Sequence, residues 1–156
     1  MSLQIQPAYE KLNIVRELFI EYQTKTDIDL CFQSFEAELA SLPGKYAEPY
    51  GRLYIASYDN SSAGCIAILP IDNEDCEIKR LFVRAQFRKL GIGRTLVEQV
   101  INDAKYIGYT RLLLETSPTM KEAIALYKKL GFINIEPYHD DTNGGIICFG
   151  LMLVDK

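Results

Sequence analysis

The sequence holds no tryptophan, one histidine (His139) and four cysteines in 156 residues. Cys31, Cys65, Cys76 and Cys148 never approach C-x-x-C spacing, and three of them lie in apolar runs. A zinc site does not fit that pattern, so no metal is expected, and the cysteines read as reduced thiols filling a core. A cysteine nucleophile would need His139 as its partner. No apolar run is long enough to span a bilayer. The opening "MSLQIQPAYEKLN" lacks the basic start and apolar centre of a secretion signal, so a cytoplasmic protein is expected. Net charge is −4, which denies the chain the overall basic balance of a nucleic-acid binder. Two phosphate loops are missing as well. There is no G-x-x-x-x-G-K-[ST], and Gly93 is followed by Arg94, Thr95 and Leu96 rather than by a third glycine at dinucleotide spacing.

What is present is the composition of one globular domain, residues 1–156, with 48% hydrophobic and 24% charged residues and no repeat or linker. "LQI" (3–5) reads as a short strand. Leu12, Val15, Leu18, Phe19 and Tyr22 recur at helical spacing and predict a helix from about Pro7 to Thr24. Phe32, Phe35, Leu39 and Leu42 predict a second helix, ended by Pro43–Gly44. "RLYIASY" (52–58), the turn "DNSS" and "GCIAILP" (64–70) form a hairpin, which "CEIKRLFV" (76–83) extends into a meander. Ile92, Leu96, Val100, Ala104 and Ile107 share a helical face that Gly108 ends. "TRLLLET" (110–116) suits a buried strand, reached by a right-handed parallel crossover. Ser117 or Thr119 can cap the next helix, Thr119 with Glu122 fitting a capping box, with Met120, Ala123, Ile124 and Tyr127 inward and Gly131 at its end. "FINIEPY" and "GIICFGLMLV" close the chain as strands. The fold class is α+β, with a mostly antiparallel central sheet, one parallel crossover and flanking helices.

The stretch "RLFVRAQFRKLGIGRTL" (80–96) sets Arg84, Arg88, Lys89 and Arg94 around Gly91 and Gly93 at a strand-to-helix turn. A helix start offers unpaired backbone N–H groups and the positive end of its dipole, to which phosphate oxygens bind. Glycine clears the approach, and flanking Arg and Lys add charge-assisted bonds. A tight turn with a solvated basic face is the other reading.

Arg88-x-x-Gly91-x-Gly93, directly after "LFVRAQF", resembles the acetyl-CoA signature of the GNAT superfamily of N-acetyltransferases, and "AIALYKKLGF" (123–132) resembles that superfamily's later helix motif, in the right order. The resemblance implies the GNAT fold and acetyl-CoA as co-substrate. It implies that Leu81, Phe82 and Val83 pair through their backbone with the pantetheine arm, beside a bulge and a splay of strands. The pyrophosphate would lie on amides of Lys89, Leu90, Gly91, Ile92, Gly93 and Arg94, behind Arg88. Tyr127 would face the CoA sulfur as an acid; otherwise it is a core aromatic. Met120 replaces an asparagine found in many relatives.

Acetyl transfer to an amine needs a neutral nitrogen, a positioned thioester and charge stabilisation at the carbonyl oxygen. Glu77, eleven residues before Arg88, stands where some family members carry a carboxylate base. Strict alternation would put it on one face with Lys79, Leu81 and Val83. Its alternative is a surface charge paired with Lys79 or Arg80. Glu115 is the second candidate base, and a backbone N–H near Val83 the oxyanion donor. Asp27, Asp29, Glu36 and Glu38, with Tyr138, His139, Asp140 and Asp141, either wall a pocket for a cationic amine or are solvated charges. Tyr46, Tyr50 and Tyr54 either line that pocket or fill the core. The expected function is therefore an N-acetyltransferase acting on a small-molecule or peptide amine, without nucleic acid or membrane partners and with a homodimer left open. A non-catalytic acyl-CoA sensor, another acyl group and an alcohol acceptor are the alternatives.

Overall fold

The computed structural model describes residues 2–25, 35–138 and 146–153. Seven strands form one sheet in the order β1-β2-β3-β4-β5-β7-β6: β1 (Leu3–Pro7), β2 (Arg52–Tyr58), β3 (Ser61–Pro70), β4 (Asp75–Val83), β5 (Arg111–Thr116), β6 (Ile133–Ile135) and β7 (Ile147–Met152). Every neighbouring pair is antiparallel except β4 and β5, which the crossover through α3 (Ile92–Ile107) makes parallel. The β2–β3 turn is just Asp59–Asn60. Both residues take left-handed dihedrals (φ 49° and 71°), as a two-residue hairpin turn matched to strand twist requires. β3 therefore starts at Ser61, earlier than the predicted residue 64.

Two cores cover the two faces of the sheet. On one, α3 supplies Ile92, Leu96, Val97, Val100 and Ala104, and α4 (Lys121–Lys129) supplies Tyr127. On the other, α1 (Leu12–Lys25) supplies Val15, Leu18, Phe19 and Tyr22, and α2 (Phe35–Ser41) supplies Phe35. The first helix starts at Leu12 and not at Pro7, because Pro7 belongs to β1 and pairs with Tyr54. α2 stops at Ser41, so Leu42 packs from the loop beyond it. The expected capping box of Thr119 and Glu122 is not formed. Met120 is the N-cap of α4 and makes no side-chain cap, and Ser117 Oγ instead accepts the Thr119 N–H at 3.3 Å.

A bulge in β4 reorients the second half of that strand. Cys65 pairs with Phe82 and Ala67 with Lys79, so Ile66 alone faces both Arg80 and Leu81. Arg80 takes φ 60°, an uncommon conformation for a residue with a Cβ. The extra residue shifts the alternation. Ile78 packs in the α3-side core, and beyond the bulge Leu81 and Val83 pack there too, while Phe82 turns to the α1 side. Glu77 and Lys79, flanking Ile78, thus lie on the face opposite Leu81 and Val83, which overturns the strict-alternation expectation. Gly64 permits this packing, since a Cβ there would sit 2.3 Å from the Phe82 carbonyl oxygen. The Arg80 guanidinium is buried over the rings of Phe19 and Phe35 (5.9 and 5.8 Å) and forms a bidentate pair with Glu38 at 2.6 and 3.0 Å.

Candidate active site

The β4–β5 ladder ends at Glu77–Leu113. Past that point the strands part, and a cleft of about 770 Å³ opens between them. It runs from the start of α3, along Leu81, Phe82 and Val83, past α4, to the end of α1. Phe82 and Val83 pair with β3 on one side only, and among the described residues the edge of Leu81–Val83 toward β5 has no strand partner.

At the α3 end, Thr95 N–H is the first amide bonded within the turn, to Gly91 O at 3.1 Å. Among the described residues, the amides of Gly91, Ile92, Gly93 and Arg94 make no hydrogen bond, so four donors in sequence meet the cleft. Gly91, at φ 81°, is the N-cap, and a Cβ on it would meet nothing within 4 Å. Gly93 is less constrained, since its Cβ would make ordinary 3.8 Å contacts with Leu126 and Val83. Arg88, Lys89 and Arg94 line the cleft; Arg88 Nε donates to Val83 O at 3.2 Å, and Arg94 forms an exposed pair with Glu98 at 3.0 Å. Leu90 is exposed and is not among the lining residues. Arg84 does not belong to this cluster, contrary to the sequence grouping. It is bound by Glu21 at 2.6 and 3.0 Å and by Glu17 at 3.2 Å, which anchors α1 to the end of β4. The Arg84 hydrogen bond holds the Glu21 carboxyl below its ordinary pKa.

Tyr127 lines the middle of the cleft and is 5% exposed, its ring packed against Phe132 and Phe149 at 5.6 and 6.3 Å. Burial pushes its pKa well above the phenol's ordinary value, so at neutral pH its oxygen carries a proton. Among the described residues its hydroxyl has no hydrogen-bond partner. Glu115 also lines the cleft, opposite Cys148 of β7. Glu77 does not line it. It is 1% exposed, which excludes the surface-charge reading, and accepts from the Tyr138 hydroxyl at 2.8 Å with Lys79 Nζ at 3.9 Å. Burial first, then the charges of Glu77 and Glu115, drive the Tyr138 pKa upward, so both carboxylates bear on one phenol.

Of the expected acidic wall, Glu38 is engaged by Arg80 and Tyr46, and Glu36 is exposed. Asp27, Asp29, Cys31, Phe32, His139, Asp140 and Asp141 lie outside the described residues. Tyr46 and Tyr54 are buried in the two different cores, Tyr50 is exposed, and none lines the cleft. Met120 does, together with Thr116, Thr119, Tyr22 and Lys25, which sequence reasoning missed. Tyr22 reads in sequence as one more inward residue of α1; only the parting of β4 and β5 exposes it to the cleft. Among the described residues no group of three His, Cys, Asp or Glu side chains could hold a metal. No described helix is long and apolar enough to cross a membrane.

Residues 12–132 match the Acetyltransferase (GNAT) family. An uncharacterized N-acetyltransferase of Dictyostelium discoideum is 35% identical, over 96% of this chain and 97% of its own. One of Schizosaccharomyces pombe, also uncharacterized, is 36% identical over 91% and 88%. A GNAT family acetyltransferase from Elizabethkingia anophelis, crystallised with acetyl-CoA bound, superposes with a TM-score of 0.71 at 26% identity, over 96% of this chain and 97% of that one. With its signature residues at the head of this cleft and a family match across most of its length, the chain belongs to the GNAT family of acetyltransferases.

Proposed function

We propose that this acyltransferase moves an acetyl group from acetyl-CoA directly to the primary amine of a small molecule or peptide. The observation that carries this reading is one cleft with four amides at its head and a buried phenol in its middle, none of them hydrogen-bonded among the described residues. The residues present fit the donor molecule. The amides of Gly91–Arg94 suit a pyrophosphate, reinforced by the helix dipole and by Arg88 and Lys89. The open backbone edge of Leu81–Val83 suits an extended amide-bearing arm, bonded as an added strand would be. Acetyl-CoA would supply the activated acyl group as a thioester.

The chain's own groups then divide the work. Tyr127 Oη, kept protonated by burial, can donate to a departing thiolate. Glu115, on the cleft wall, would take the proton of an incoming ammonium, which must become neutral before it attacks. Glu77, hydrogen-bonded behind the wall to Tyr138, is the alternative base and holds that phenol toward the same side of the sheet. Thiol release from acetyl-CoA, followed across a panel of amines and matched alcohols, tests the reading. Amine-dependent release with acetylated product is expected. Tight binding of acetyl-CoA without turnover of any amine would mark a sensor instead, and turnover with alcohols alone would change the acceptor class.

A further inference from the structure

α1 and α4 pack on opposite faces of the sheet, yet Tyr22 of α1 and Tyr127 of α4 line the same cleft. Parted strands allow it: where β4 and β5 separate, the cleft passes through the plane of the sheet. Tyr22 is 7% exposed, with its ring set edge-on against Phe82 (centroids 6.2 Å apart, 78° between planes). Phe82 is the cleft residue that the bulge turns toward α1. Together the two rings close the α1 side of the opening. Like that of Tyr127, the Tyr22 hydroxyl has no hydrogen-bond partner among the described residues. Both tyrosines line this one cleft, one from each face of the sheet. Buried hydroxyls are nearly always bonded. Two unbonded ones in one cleft point to a polar occupant between them.

Resting on the function proposed above, we infer that Tyr22 is a specificity-determining residue for the transferred acyl group. Its ring limits the acyl chain's length, and its hydroxyl donates a hydrogen bond to the acyl carbonyl. The direction follows from the layout. A carrier anchored at Gly91–Arg94 with its sulfur beside Tyr127 would have its acyl end directed away from α3, toward the part of the cleft that Tyr22 lines. Burial raises the Tyr22 pKa to about 12, so the phenol is a donor at neutral pH.

Calorimetric titration of the intact protein with CoA, acetyl-CoA, butyryl-CoA and hexanoyl-CoA tests this without needing the acceptor. Wild type should bind hexanoyl-CoA about tenfold or more weaker than acetyl-CoA, since one misfitting methylene can already be worth that much. Tyr22→Ala should erase the length penalty. Tyr22→Phe should keep it while losing about fivefold in affinity for acetyl-CoA but not for CoA. Tyr22→Leu, which keeps an apolar filler in α1, replaces the alanine variant if that protein fails to melt cooperatively. An unchanged length profile in the folded Ala or Leu variant, or no length discrimination in wild type, overturns the inference and leaves the proposed function standing. Failure of wild type to bind CoA or any acyl-CoA overturns both.

Discussion

Replacing Gly91 separates the anion site from the fold. Its φ of 81° is left-handed, so any side chain there costs about 1 kcal/mol of stability. Its Cβ would meet no atom within 4 Å, so sterics within the protein add nothing. Gly91→Ala is thus a pure backbone control. Gly91→Asp carries less of that strain, because Asp enters left-handed conformations more readily than Ala, and its carboxylate sits at the positive end of the helix dipole. It should therefore melt no lower than the alanine variant. The same carboxylate repels the pyrophosphate proposed for the neighbouring amides. One unit charge about 5 Å away at an effective dielectric of about 20 contributes about 3 kcal/mol, or at least a hundredfold in affinity. Titration calorimetry with CoA at low ionic strength, paired with thermal melts of all three proteins, reads both effects. Gly91→Asp should bind CoA at least a hundredfold more weakly than Gly91→Ala at equal or higher melting temperature. Equal affinities in the two variants would refute the placement of the phosphates on these amides.

Three further outcomes are expected. Tyr127→Phe should lower kcat for acetyl transfer about tenfold to a hundredfold with little change in acetyl-CoA affinity, by stopped-flow thiol release and calorimetry; equal losses in both would assign Tyr127 to packing alone. Glu38→Ala leaves the buried Arg80 guanidinium without its carboxylate and should cost about 3 kcal/mol in urea unfolding, against less than about 0.5 kcal/mol for the exposed Glu36→Ala. Tyr22 has its pKa raised by burial from 10.0 to about 12, so its stabilising share is complete below pH 10 and is lost as pH rises toward 12. Stability should fall across that alkaline window, and Tyr22→Phe should make the fall shallower, in denaturant titrations at stepped pH.

How legible each part was depends on how locally it is determined. α3 runs from Ile92 to Ile107 as its sequence dictates, because its apolar stripe and the glycines at both ends act within one helix. The run of amides at Gly91–Arg94 that are unbonded among the described residues was legible for the same reason: it is a helix start. The β4 bulge was not. It rests on Arg80 taking φ 60° against a partner strand and on Gly64 yielding space to Phe82, a relation between segments with no local signal. That one shift misled the face assignment of Glu77. Arg84 was misgrouped because Glu17 and Glu21, which claim it, lie more than sixty residues earlier. Tyr22 was invisible as a cleft residue because helical periodicity reports only that it faces inward.

The central claim is that acyl-CoA lies with its pyrophosphate on the amides of Gly91–Arg94 and its sulfur at Tyr127. A crystal structure of the protein grown with acetyl-CoA tests this most directly. Density for the pyrophosphate within hydrogen-bond reach of those amides, with the thioester sulfur beside Tyr127 Oη between β4 and β5, is the expected result. Acetyl-CoA bound anywhere else, or no density at saturating concentration in well-ordered crystals, would contradict it.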